Sequence, residues 1–230
     1  MSDPVLLSKR AALALALLIA ALPSLGAPAL ADNKSVPAFE AFVKAFAGVN
    51  DYKEQLAGHE TTDNGASVQN RTSDYRWRRN PFAAYIAVTD GSNKGGVAVW
   101  HGGDTVSGHL GGIASFVHKT LNIHDGQATS LRGDTIESAG FDFQIKHFLA
   151  TPGTMSEAPG PTIDGQATTT VTLAVADPSK NGNVSKDVLH LSNGKHLPLR
   201  REEYVGASLV KSENYNNLQT NVGLTDNDFR

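Results

Sequence analysis

Residues 82–100 read FAAYIAVTDGSNKGGVAVW, and two parts of this stretch decide the fold. In FAAYIAV (82–88) and VAVW (97–100) every residue is apolar, so both faces of each predicted strand are apolar. A strand in a sheet that is covered on one face alone alternates apolar and polar residues instead. Both faces of this part of the sheet must therefore be covered, or one face must border a cavity.

Strand-like segments lie on both sides of this stretch. Asn64-Gly65 and Asn193-Gly194 are turn dipeptides, and the second is typical of a two-residue hairpin loop. Residues 150–166 are rich in Pro and Gly, which predicts a loop. Successive strands that are joined by short turns indicate an antiparallel sheet. The predicted strands cover residues 51–60, 66–77, 80–91, 95–103, 105–112, 168–177, 187–205 and 207–221.

Three segments have helical spacing of apolar residues. Residues 35–48 predict an amphipathic helix with Ser35 as its N-cap, and residues 112–124 and 135–150 predict two further helices. Such helices need a surface to cover. We therefore predict an α+β, mainly β fold: a strongly curved antiparallel sheet, or incomplete β-barrel, with an N-terminal helix and capping helices on the concave side. A plain α+β core without a cavity remains the alternative that periodicity leaves open.

The C-terminal residues 215–229 read YNNLQTNVGLTDNDF. They predict a last strand, a turn at Gly223, and a final helical turn that Thr225 caps. Leu224 and Phe229 are expected to fold back onto the core. The segment therefore closes the fold and carries no chemistry.

The first 31 residues have the layout of a secretory signal peptide. Lys9 and Arg10 precede an apolar run at residues 11–22, and ALA at 29–31 supplies small residues before a cleavage site. The run is shorter than the ~20 residues that a membrane-spanning helix needs. We expect residues 1–31 to be a signal peptide, residues 32–230 to form a single domain, and the protein to be periplasmic with no stable membrane span.

Composition and motifs argue against several classes of function. The net charge of −3 gives no reason to expect nucleic acid as a partner, and the absence of cysteine excludes disulfides. The eight histidines match no compact metal-ligand spacing, and no G-x-S-x-G elbow occurs. Glu202-Glu203 and Asp226/Asp228 are predicted to be solvated carboxylates. We predict no catalysis, no metal and no cofactor; a hydrolase or metalloenzyme that uses His101 or His109 stays open as an alternative.

Five motifs occur in an order that resembles a known family. They are YRWRRNPFAAYI (75–86), GGVAVWHGG (95–103), ESAGFDFQIKHFL (137–149), GKHLPLRREEY (194–204) and YNNLQTNVGLTDNDF (215–229). The chain resembles an exported bacterial domain-of-unknown-function family that is related to the periplasmic outer-membrane lipoprotein carriers of the LolA/LolB type. The resemblance implies an incomplete barrel whose hollow holds acyl chains. Arg78 or Arg79 is the nearest match to the arginine that latches the carriers' lid.

These observations predict a binding or carrier protein for an apolar ligand, a lipid or a lipoprotein acyl chain. An envelope protein that uses the same scaffold for protein–protein contact is the alternative, with an envelope protein as its partner. The residues that we expect to line the apolar hollow lie on the central strands and the capping helices. They are Trp77, Phe82, Tyr85, Ile86, Trp100, Ile113, Phe116, Val117, Phe143 and Phe148.

Overall fold

A computed structural model describes residues 35–112 and 116–230. The proposed signal peptide lies outside the described residues. The described part contains one antiparallel sheet of eleven strands. The strands are β1 (Asp51–Thr61), β2 (Val68–Arg78), β3 (Ala83–Gly91), β4 (Val97–Trp100), β5 (Thr105–His109), β6 (Lys119–Asn122), β7 (Gly153–Pro159), β8 (Thr168–Val175), β9 (Lys186–Ser192), β10 (Pro198–Val205) and β11 (Ser208–Thr220).

The strand order shows how two meanders form one sheet. The order is β6-β5-β4-β3-β2-β1-β11-β10-β9-β8-β7, so every pair of neighbours is consecutive in the chain except β1 and β11. Strands β6 and β7 are the two edges, and the sheet does not close into a barrel. The predicted fold class, mainly β with an incomplete barrel, is confirmed.

Two α-helices cover one face of the sheet, which we call the inner face. Helix α1 (Pro37–Ala47) begins with a proline in its first turn and ends at Gly48. It buries Phe39, Phe42 and Phe46, which lie on one side of a 3.6-residue repeat. Helix α2 (Phe141–Ala150) follows a short 3₁₀ helix (Ile136–Ala139) and buries Phe141, Gln144 and Phe148.

The two-sided apolar strands are covered on both faces. Ala84 and Ile86 face inward, whereas Ala83 and Tyr85 point to the outer face and pack against Phe229. Phe229 belongs to a 3₁₀ helix (Asp226–Phe229) that begins with a capping box between Thr225 and Asp228. The C-terminal segment therefore folds back as the sequence predicts, and it covers the outer face of β3 and β4.

Four local predictions are wrong. The helix predicted over residues 112–124 is not present in its described part, because Lys119–Asn122 pairs with β5 as strand β6. The loop predicted over residues 150–166 contains strand β7, an edge strand that tolerates its flanking prolines. Val36, and not Ser35, is the N-cap of α1. The β9–β10 connection is longer than a two-residue hairpin, with Ser192 and Leu197 hydrogen-bonded across it.

Candidate apolar binding groove

Aromatic rings fill the space between the helices and the centre of the sheet. Tyr52 stacks on Phe141 with ring centroids 4.7 Å apart, and Phe39 stacks on Phe148 at 5.5 Å. The indole of Trp77 lies 5.1 Å from the ring of Phe46. Each of these rings is almost fully buried. The region below α1 and α2 is therefore an ordinary packed core in this conformation. It is not the hollow that the sequence predicts there.

Open apolar space lies farther along the inner face, over strands β3 to β6. The cavity there has a volume of about 100 Å³ and is open to solvent along one side. We call it the β3–β6 groove. Its apolar lining consists of Ile86, Val88, Val97, Ala98, Val106, Leu110, Leu121 and Ala128.

The strands β4 and β5 form the floor of the groove, and one of the floor residues is a glycine. Gly108 on β5 pairs with Ala98 on β4 and Lys119 on β6. A Cβ atom at Gly108 would collide with the carbonyl oxygen of Val97, so the close approach of the strands requires glycine here. Gly108 has no side chain and its neighbour Ala98 has only a methyl group, so no large side chain from these two positions fills the groove.

Residues 123–134 form the other wall of the groove, and we call this segment the flap. Arg132 anchors its C-terminal end: Nη1 donates to Asp63 Oδ1 at 2.8 Å and to the carbonyl oxygen of Thr61 at 3.0 Å. At the mouth of the groove, Lys119 Nζ donates to Gln127 Oε1 at 3.0 Å. Polar contacts therefore hold the flap at Gln127 and at Arg132, and its residues Gln127, Ala128 and Thr129 line the groove.

A buried charged cluster lies beside the groove on the inner faces of β9, β10 and β11. Arg201 binds Asp187 through two hydrogen bonds of 2.6 and 3.2 Å and lies 2.8 Å from Glu203. Lys211 Nζ lies 2.8 Å from Asp134 of the flap. The charged cluster therefore ties the flap to the sheet. Glu203 is buried and the side chain of Glu202 is 15% exposed, so the prediction that Glu202-Glu203 is a solvated pair is wrong.

Electrostatics explain why these charges are tolerated inside the protein. Burial alone would raise the pKa of Asp134, but the charge and the hydrogen bond of Lys211, together with the charges of Arg201 and Arg71, outweigh it and lower that pKa to about 2. The pKa of Asp187 is also lowered, because Arg201 and His147 outweigh its burial. His147 on α2 places Nε2 3.1 Å from Asp187 Oδ2. The same cluster thus contacts α2 as well as the flap.

The structure separates the residues that were expected to line one hollow. Ile86 lines the β3–β6 groove. Trp100 pairs with Ala84 on the inner face, and Phe82 packs edge-on against it at 5.0 Å. Trp77 and Phe148 belong to the packed aromatic core.

Other residues of that set lie elsewhere. Tyr85 is on the outer face under Phe229, because it is one residue out of phase with Ala84 and Ile86. Phe143 stacks on His147 at 5.9 Å along α2. Phe116 and Val117 are exposed, 80% and 41%, just before β6. Ile113 lies outside the described residues.

The two arginines of the expected latch hold different segments. Arg79 donates from Nη2 to Phe46 O at 2.9 Å and from Nε to Val49 O at 3.0 Å, both at the C-terminal end of α1. Arg78 pairs with Asp226 at 2.7 Å and its guanidinium lies 4.9 Å from the Phe229 ring centroid, so it holds the C-terminal segment. Arg79 thus contacts the helix α1 and Arg78 does not, and the role of either arginine as a latch stays a prediction.

Within the described residues, no group of three or more His, Cys, Asp or Glu side chains is placed to hold a metal ion. Glu54 is buried on the inner face, and neither of its carboxyl oxygens has a hydrogen-bond partner in the described part of the chain. Burial, and then the charge of Glu213, raises the pKa of Glu54 well above its usual range.

Comparison with solved structures places this architecture among known folds. An uncharacterised conserved protein from Thermus thermophilus is 6% identical, with 84% of this chain and 90% of that chain covered and a TM-score of 0.52. The lipoprotein LppX from Mycobacterium tuberculosis is 16% identical, with 83% and 99% covered and a TM-score of 0.50. MucB is 13% identical, with 83% and 62% covered and a TM-score of 0.50.

The chain shares the fold of these proteins. The resemblance that the sequence predicts is thereby confirmed at the level of the fold. No protein-family model and no curated protein matches the chain. In residues 35–112 and 116–230, no helix combines the length and the apolar character that crossing a membrane demands.

Proposed function

We propose that this chain is a non-catalytic periplasmic binding or carrier protein for an apolar ligand, a lipid or a lipoprotein acyl chain. The observation that carries the proposal is the β3–β6 groove: an apolar cavity between the sheet and the flap, open to solvent on one side. The exposed Phe116 and Val117 immediately precede β6, whose Lys119 and Leu121 line the groove. An apolar space that is beside exposed apolar residues suits a ligand that must leave water.

The energetics favour such a ligand. Each methylene group that is buried contributes about 0.8 kcal/mol, so a chain of about ten methylenes gains on the order of 8 kcal/mol. That gain exceeds the contribution of any single hydrogen bond that holds the flap, which is about 1–3 kcal/mol. Burial of an acyl chain can therefore offset the loss of more than one of the contacts that hold the flap.

The size of the groove indicates that the present conformation is the closed one. A cavity of about 150 Å³ accommodates a benzene molecule. The β3–β6 groove, at about 100 Å³, is too small for an acyl chain unless a wall moves. Because the floor is made of hydrogen-bonded strands, the flap is the wall that we expect to move.

The experiment is a filling variant with a matched control. Ala128 lies on the flap and lines the groove, whereas Ala207 lies in the exposed β10–β11 turn. We expect Ala128→Trp to lower the affinity for a fluorescent fatty acid at least about tenfold, and Ala207→Trp to leave it unchanged, in fluorescence titrations. Native mass spectrometry of the protein purified from periplasm should show bound lipid. Failure of the wild-type protein to bind the probe, with no lipid co-purified, would contradict the proposal.

A second candidate is an envelope protein that binds another protein through the same scaffold. MucB, which has this fold, has been solved in complex with MucA from Pseudomonas aeruginosa. The exposed side chains of Phe116 and Val117, next to the unpaired edge of β6, favour this candidate. A Phe116→Ser/Val117→Ser variant separates the two: loss of one crosslinked envelope protein, with fatty-acid binding intact, would support it.

A further inference from the structure

We propose that the ligand of the β3–β6 groove is an amphiphile with an anionic head group, a single acyl chain that ends in a carboxylate. This inference rests on the proposed function and adds the chemistry of the head group. Among the described residues that line the groove, two carry a positive charge, Arg71 and Lys119, and none is Asp or Glu. Two cations beside an apolar surface match an anion that is attached to a hydrocarbon chain.

Arg71 is the inner of the two cations. It is half-buried on the inner face of β2, where it pairs with Gly58 and Gly91. Within residues 35–112 and 116–230, its guanidinium makes no hydrogen bond and no ion pair. Other half-buried arginines of this protein do have partners: Arg132 binds Asp63, and Arg200 binds Asn214. A guanidinium has five donors in a planar fork, so Arg71 can present two parallel N–H groups to a carboxylate.

The carboxylates closest to Arg71 are already engaged. Asp134 acts on Arg71 through space, but it binds Lys211 at 2.8 Å. Glu60 and Glu213 line a small cavity of about 10 Å³ that Arg71 also borders. Glu213 lies 3.3 Å from Lys211, and Glu60 accepts the backbone N–H of Arg132 at 3.3 Å. These three carboxylates partly offset the positive charge of Arg71, but none of them accepts a hydrogen bond from its guanidinium.

Lys119 is the outer cation, at the mouth of the groove. Its side chain is exposed and donates to Gln127 Oε1, so a neutral amide of the flap is its acceptor. A carboxylate that reached this position would be a stronger acceptor than the amide. Binding of an anionic head group would then release Gln127 and free the flap at the place where it must move. Ser107, Thr129 and Asn93 supply further polar groups along the same lining.

The experiment compares three ten-carbon amphiphiles by isothermal titration calorimetry: decanoate, decan-1-ol and decyltrimethylammonium. We expect decanoate to bind about tenfold or more tightly than decanol, and the cation to bind weakest. Lys119→Gln and Arg71→Gln should each weaken decanoate binding about tenfold and leave decanol binding unchanged. Lys44→Gln, on the exposed face of α1, is the control and should change neither.

The outcomes distinguish the two proposals. If none of the three amphiphiles binds, the groove is not an apolar ligand site and the proposed function fails with it. If decanoate and decanol bind equally, or if the cation binds best, the apolar site stands and the anionic head group is wrong. If Arg71→Gln does not fold, Arg71→Lys replaces it as the test of Arg71. Lys119→Gln tests Lys119 separately, and unchanged decanoate binding in that variant overturns the role of Lys119.

Discussion

At the scale of single residues, Glu54 links the stability of the protein to pH. Its carboxyl group is buried without partners in the described part of the chain, and burial raises its pKa well above the usual range. Below about pH 4.3 the group is protonated in both the folded and the unfolded chain. As the pH rises, the unfolded chain loses this proton first, so stability falls until the folded pKa is reached, by about 1.4 kcal/mol per pH unit.

Glu54→Gln removes this dependence, because the amide has nearly the same shape and does not ionise. We expect the variant to be more stable than the wild type at pH 8, by at least about 1.4 kcal/mol, and the difference to shrink towards pH 4. Urea unfolding at several pH values measures it. Glu40→Gln, on the exposed side of α1, is the control. A Glu54→Gln difference that is the same at pH 4 and pH 8 would show that the buried carboxyl is ionised.

At the scale of secondary-structure elements, two adjacent arginines hold two segments that cover opposite faces of the sheet: α1 on the inner face and the C-terminal segment on the outer face. Arg79 binds the carbonyl groups at the end of α1, and Arg78 binds the C-terminal segment through Asp226 and Leu224. Lysine keeps the charge but loses the planar fork of donors. We expect Arg79→Lys to lower the free energy of unfolding by about 1 kcal/mol and to speed amide hydrogen exchange in α1 alone. We expect Arg78→Lys to speed amide hydrogen exchange in residues 222–229 instead.

Hydrogen exchange followed by mass spectrometry measures both variants, and each serves as the other's control. Faster exchange in α1 for Arg78→Lys, or no change in α1 for Arg79→Lys, would contradict the assignment of one arginine to each cover. The same comparison tests whether Arg79 is the latch of α1, since a latch must affect the helix that it holds.

Local sequence patterns predict helices and strands well where the apolar residues of the segment itself show which of its faces are buried. The apolar repeat of Phe39, Phe42 and Phe46 is sufficient to place α1, and the two-sided apolar run of β3 correctly requires a cover on each face. The spacing of Phe116, Val117 and Leu121 also fits a helix, yet pairing with β5 makes Lys119–Asn122 a strand. Short segments of this kind are decided by tertiary pairing that periodicity does not contain.

The groove and its neighbourhood were less predictable, for a physical reason. The charged cluster collects Asp134, Asp187, Arg201, Glu203 and Lys211 from the flap and three strands, so no local motif contains it. The sequence RREEY suggests an exposed strand, because its charges find partners only after β9, β10 and β11 have paired. Ile86 was expected in the apolar space, but the flap and Gly108, which give that space its shape, had no sequence signal of their own.

At the scale of the whole molecule, one continuous sheet is covered by α1, α2, the flap and the C-terminal segment, and three of these covers have an arginine anchor. The β1–β11 pairing joins the two meanders, and Asp51 reinforces it by accepting N–H groups of Val222 and Gly223. In these three, the arginine binds backbone carbonyl groups: Arg79 holds α1, Arg78 holds the C-terminal segment and Arg132 holds the flap. Each of these three covers therefore has an anchor of its own.

This independence predicts where a ligand enters. Arg132→Gln, or the milder Asp63→Asn, weakens the flap anchor by about 1–2 kcal/mol, so the flap opens about five- to thirtyfold more often. Stopped-flow fluorescence with a fatty-acid probe should show association faster by that factor, while Arg79→Lys leaves the rate unchanged. If Arg79→Lys speeds association and the two flap variants do not, the acyl chain enters beneath α1, and the aromatic core, rather than the β3–β6 groove, is what parts to receive it.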